Sequence, residues 1–244
     1  MTRALLAVAH GSRDPRSAAT IRALTERVRA TAPDLVVREA FLDLSEPSVP
    51  GALAGLHARG HRDVVVVPLL LGSAYHARVD LPALLERATA ELPGLTVTTS
   101  AVLGTDPVLT GLATDRLLAT GADPADPELG VLLAAVGSSH APANDAVSRL
   151  AARWQAVHGC RVSAAFASAA APDVPAALAR LRAKGARRFA VASWFLAPGL
   201  LPDRVARLAG AGVAMAAPLG PDQRVADLVL TRYRETVAGA LRSA

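Results

Sequence analysis

The chain has 244 residues, 52% of them hydrophobic and only 3% aromatic, and a formal net charge of +5. That length suits one large domain or two small ones, with cores built from Ala, Val and Leu. No apolar run is long enough to cross a membrane, residues 1–13 lack a signal-peptide cleavage pattern, and a lone cysteine, Cys160, excludes an internal disulfide. A reducing cytoplasmic setting is expected. The arginines are scattered over helix-like segments and are not clustered with stacking aromatics. This argues against a nucleic-acid surface, while the positive balance suits an acidic small molecule.

Strand-like apolar runs are expected at residues 4–9, 35–41, 64–71 and 95–103. Between and after them, Ala/Leu/Arg-rich stretches with helical spacing cover residues 17–32, 49–59, 81–92 and 107–119. Continuous apolar strands alternating with helices imply a parallel sheet covered on both faces. The stretch "TGADPADPEL", residues 120–129, has two Asp-Pro pairs and no apolar period, and reads as a linker. The pattern then restarts with strand-like runs at 131–136, 162–166, 189–196 and 213–217, and a final helix at 224–242.

The halves also match residue by residue. "EAFLDLSEPSVPGALAGLHARGHRDVVVVPLLL" from Glu39 aligns without a gap with "AAFASAAAPDVPAALARLRAKGARRFAVASWFL" from Ala164, and "LLAVAHGS" from Leu5 answers to "LLAAVGSS" from Leu132, with His10-Gly11 set against Val136-Gly137. Two tandem copies of one four-stranded α/β unit are expected, spanning residues 1–122 and 129–244.

The copies differ where chemistry would sit. His10, Asp43 and His76 each lie just past the end of a strand in the first half. In an open parallel sheet these ends share one edge, where ligands bind. Two imidazoles and a carboxylate suit divalent iron, cobalt, nickel or zinc. In the second half the same positions are Val136, Ser168 and about Leu201, while the packing residues are kept. A purely structural role would tend to survive in both copies. His57, His61 and His158 sit near expected helix ends, where a cation suits the dipole, and His140 is expected to be exposed. "VGSSHA" lacks the last glycine of a hydrolase nucleophile elbow, and no histidine follows His158 to complete a Ser, acid, His order. There is no Walker loop and no G-x-G-x-x-G.

"AHGSRDPRS", "EAFLDLSEPSVPGAL" and "VVPLLLGSAYHARVDLP" resemble the three motifs of class II tetrapyrrole chelatases, specifically the sirohydrochlorin chelatases of sirohaem and cobalamin synthesis. The likeness runs over the whole chain, with the second half similar to the degenerate repeat of long family members. It implies two flavodoxin-like chelatase domains, each a four-stranded parallel sheet with helices on both faces. It also implies ATP-independent insertion of Fe²⁺ or Co²⁺ into sirohydrochlorin, an octacarboxylate macrocycle. The metal is then a substrate, and no permanently bound cofactor is expected. Neither is a nucleic-acid or membrane partner. The chain would be a monomer with two pseudo-symmetric domains, or a homodimer. The family's metal-binding histidines carry over onto His10 and His76, which would hold the metal or accept a pyrrole proton. Its acid carries over onto Asp43, where many members have Glu, with Glu46 as the alternative. Ser12, Arg13 and Arg78 are expected to bind substrate carboxylates, with Arg16 an even choice between that and a surface charge. A non-catalytic metal or tetrapyrrole carrier would use the same ligands.

Overall fold

Every residue of β1 (Ala4–Ala9) is buried, as an all-apolar strand in the middle of a parallel sheet must be. The computed structural model describes residues 3–72 and 80–242. β1 pairs in parallel with β2 (Val37–Phe41) on one side and β3 (Asp63–Pro68) on the other, and β3 pairs with β4 (Thr96–Thr99). The strand order is β2-β1-β3-β4.

The side chains of β1 alternate between two faces. Ala4, Leu6 and Val8 pack with Val64 and Val66 against α2 (Val49–Ala58) and α3 (Leu81–Ala90). The opposite face is covered by α1 (Pro15–Thr31) and the last helix of the chain, α8 (Gln223–Arg242), which pack on each other and on the sheet through β2 and β3. α8 buries Val225, Ala226, Leu228, Val229, Leu230 and Tyr233. The Tyr233 hydroxyl donates to the carbonyl oxygen of Arg3 at 2.6 Å, beside the start of β1.

The second sheet repeats this plan. β5 (Leu129–Ala135) is central and fully buried. Its sheet has the order β6-β5-β7-β8, with β6 (Arg161–Phe166), β7 (Arg188–Ser193) and the short β8 (Ala214–Met215), all parallel. α6 (Val174–Ala183) and α7 (Leu200–Ala209) line one face. α5 (Ala141–His158) packs on the β5–β6 side, and α4 (Pro107–Leu118) packs on β7. The expected architecture of two four-stranded parallel sheets with helices on both faces is therefore what the chain adopts.

The compact units do not follow the sequence repeats. One consists of residues 1–104 with 221–244, the other of residues 105–220. α4 ends the first sequence repeat but belongs to the second unit. α8 ends the second repeat but belongs to the first. The Asp-Pro stretch, expected as the boundary, lies inside the second unit. There Asp126 accepts the Glu128 N–H at 2.9 Å and pairs with Arg188 at 2.6 Å, and these contacts, led by the Glu128 N–H, hold its carboxyl below the usual range.

Helix starts are legible in the sequence. α1, α2, α4 and α6 each begin with an Asp or Ser cap followed by proline within the first two positions. There the cap oxygen takes an unpaired N–H and proline has none to lose. Among the described residues no helix is long and apolar enough to span a membrane.

Candidate functional site

Parallel pairing puts the ends of β1 and β2 side by side, and the chain beyond them stays in register. The N–H of Leu42 donates to the Ala9 carbonyl at 2.9 Å, and that of Asp43 to the His10 carbonyl at 3.0 Å. His10 and Asp43 are thus neighbours across the strand ends, although far apart in sequence. His10 is half-buried, with Nδ1 at 3.2 Å from the Gly11 carbonyl oxygen. Asp43 is exposed, and its Oδ1 accepts the Leu44 N–H at 2.8 Å.

Gly11 makes this approach possible. Its φ is +94°, and a Cβ there would run into the Asp43 carbonyl oxygen. Only glycine meets both demands. Gly137 does the same in the second repeat, with φ +87° and the Ser168 carbonyl as the obstacle. There the Ser168 N–H donates to the Val136 carbonyl at 2.9 Å. The pairing of His10 with Val136 and of Asp43 with Ser168 is therefore a structural equivalence. One backbone device carries an imidazole and a carboxylate in one copy, a valine and a hydroxyl in the other.

This gives a direct expectation. Gly11→Ala should cost roughly 2–4 kcal/mol, from the positive φ and the clash together, and Gly137→Ala a similar amount. Thermal or denaturant unfolding checks it, and a Gly11→Ala protein as stable as the parent would refute this account of the turn.

His10 and Asp43 both line an open cavity of about 260 Å³, together with Leu42, Asp80, Ala83, Leu84 and Arg87. Asp80 and Arg87 were not anticipated from the sequence. The usable signal was spacing. Asp80, Ala83, Leu84 and Arg87 fall at i, i+3, i+4 and i+7, one face of α3 and its cap, while Leu81, Leu85 and Ala88 face the core.

The other expected site residues divide as follows. His76 and Arg78 lie outside the described residues. Among the described residues no three His, Cys, Asp or Glu side chains are gathered to hold a metal, and the expected trio includes His76. Ser12 is committed locally. Its N–H donates to Ser45 Oγ at 3.1 Å, its carbonyl accepts from the same hydroxyl, and its own Oγ accepts the Asp14 N–H. What it retains for an anion is its hydroxyl proton. Arg13 is exposed at the start of α1. Arg16 directs its guanidinium onto Asp14, the cap of α1. Those hydrogen bonds, first from the Arg16 side chain and then from its N–H, hold the Asp14 carboxyl below the usual carboxylate range. Glu46 accepts the Ser48 N–H at 2.9 Å beside the start of α2 and does not line the cavity. His140 is half-buried where exposure was expected, because it forms the cap of α5 with its N–H on Ser138 Oγ. His57 is held at 3.0 Å from the Pro93 carbonyl oxygen.

The CbiX family model matches residues 4–120 and again 130–236. This chain belongs to the CbiX family. The two matches follow the two sequence repeats, so this CbiX chain is the long form with two copies. It is 25% identical over 247 residues to the sirohydrochlorin ferrochelatase of Bacillus subtilis, covering 98% of this chain and 94% of that protein. It is 25% identical over 206 residues to the sirohydrochlorin cobaltochelatase of Priestia megaterium, covering 83% and 67%. Among solved structures, SirB from Bacillus subtilis with Fe³⁺ superposes with a TM-score of 0.80 at 25% identity, covering 98% of this CbiX chain and 97% of that one.

Proposed function

We propose that this CbiX-family chain is a sirohydrochlorin chelatase that inserts Fe²⁺ or Co²⁺ without ATP. The observation that carries the reading is the contrast between the two copies. His10 and Asp43 line one cavity at the strand ends of the first sheet, whereas the same backbone in the second sheet bears Val136 and Ser168. The chelatase names of relatives aligned over most of the chain support the same reading.

Insertion exchanges two pyrrole N–H protons for one divalent metal. The protein must take up those protons near neutral pH and hold the metal weakly enough to release it. Imidazole suits both tasks. In this reading His10 ligates the entering metal or accepts a pyrrole proton, with His76 as its proposed partner. Asp43 completes the ligation or orients an imidazole. Ser12, Arg13 and Arg78 are proposed as donors to the carboxylates of the macrocycle. Iron and cobalt are both borderline metals that such a ligand set accepts.

The test is an anaerobic absorbance assay with metal-free sirohydrochlorin and Fe²⁺ or Co²⁺ against a control without protein. Accelerated insertion is expected, and the faster metal names the preferred substrate. Tight binding without acceleration would replace the chelatase reading with that of a carrier. No interaction would overturn both.

A further inference from the structure

The cavity beside His10 is lined by acidic, basic and apolar side chains. His10, Asp43 and Asp80 supply an imidazole and two carboxylates, and Arg87 supplies a guanidinium. Ala83, Leu84 and Leu42 provide apolar wall. α3 follows β3 and begins near the strand ends, so its axis leads away from that edge. Arg87 is seven positions beyond Asp80, about 10 Å along a helix. Asp80 therefore stands at the end of α3 nearer the strand ends, and the backbone of Arg87 is about two turns further along the helix.

We propose that Arg87 is a substrate-specificity residue, binding one peripheral carboxylate of the macrocycle while the ring edge lies against Ala83, Leu84 and Leu42. This rests on the chelatase reading and extends it to a residue that no motif marks. Three features of the cavity carry the argument. A volume of about 260 Å³ is slightly below the range for sites that enclose whole ligands, so it takes one corner of a large ring. That corner would be a pyrrole with its carboxylate arm. Asp43 and Asp80 alone would repel such an arm, and among the described lining residues Arg87 is the guanidinium that reverses the sign locally. A carboxylate on a macrocycle lies at the periphery, one ring radius and a short arm from the central nitrogens. On α3 the backbone of Arg87 is likewise set about two turns beyond Asp80.

Arg87 is exposed on a helix whose core contacts are made by Leu81, Leu85 and Ala88, so its replacement leaves packing intact. The experiment measures fluorescence binding of metal-free sirohydrochlorin and steady-state insertion for the parent, Arg87→Ala, Arg87→Lys and Arg27→Ala. Arg27 is exposed on α1 and outside the cavity, so its replacement makes the same change in net charge. Arg87→Ala should raise Kd and KM about tenfold, with kcat within about twofold, as befits the loss of a charge-assisted bond to the ground state and transition state alike. Its KM should also rise less steeply with salt than that of the parent. Arg87→Lys should recover part of the affinity, and Arg27→Ala should match the parent. Parent-like Kd and salt dependence in Arg87→Ala would overturn the assignment while leaving the chelatase reading standing. A parent protein that neither binds nor metallates sirohydrochlorin would overturn both.

Discussion

His10→Val is expected to reduce metal insertion by about 10²–10⁴-fold, the range for losing a positioned general base, and by more if the imidazole also ligates the metal. Valine is the informative replacement because the fold already accepts it. Val136 occupies the equivalent position in the second sheet, beyond a strand that pairs in the same way and before a glycine with the same positive φ. His10 is half-buried at the sheet edge, with its ring Nδ1 at 3.2 Å from the adjacent Gly11 carbonyl oxygen. Stability should therefore change by less than about 1 kcal/mol. The check is initial-rate absorbance under anaerobic conditions together with a melting curve. Insertion near the parent rate would remove His10 from the mechanism. A protein that lost both rate and fold would say nothing special about the imidazole, which is why the melt accompanies the rate.

Deleting residues 221–244 is expected to unfold the first unit and spare the second. The deletion removes α8, whose Val225, Leu228, Val229 and Leu230 are buried along with the ring of Tyr233. At about 1.5–3 kcal/mol for each large apolar side chain, the loss is about 8 kcal/mol or more. That is comparable with the whole stability of a domain. The second unit, residues 105–220, keeps all its strands and helices. Hydrogen exchange resolved by segment would distinguish the two. Protection should vanish over Ala4–Ala9 and Asp63–Pro68 and persist over Leu129–Ala135. Equal protection in the two sheets would mean that α8 is dispensable to the first.

That expectation has no counterpart in a reading of the repeats alone, which cut the chain at the Asp-Pro stretch. The reason lies in what a pattern encodes. The apolar stripe of α4, with Leu109, Leu112, Ala113 and Leu117 buried, says that the helix needs a sheet. It does not say which of two similar sheets. Periodicity is a local property, and the choice of partner is not.

The site divides in the same way. That His10 and Asp43 share one edge was legible because parallel strands bring their ends together, and the second copy lacks both side chains. The division of labour among nearby polar groups was not. Arg13 and Arg16 look alike in sequence. Arg16, however, is bound to Asp14, while Arg13 is exposed and outside that pair. Ser12 looks like a free anion donor, yet its N–H is held by Ser45 from a different loop. Glu46 competes with Asp43 on paper, but it caps a turn and leaves the cavity to Asp43.

The sequence by itself determined the two parallel sheets, the alternation of their strands and helices and the asymmetry between the copies, since burial on both faces demands continuous apolar strands and repeats can be compared directly. Only the tertiary structure decided that α4 and α8 each belong with the sheet built from the other copy's strands, and that Asp80 and Arg87 share a cavity with His10. Those facts depend on which surfaces meet in space, and an amphipathic helix carries the same stripe whichever partner it finds.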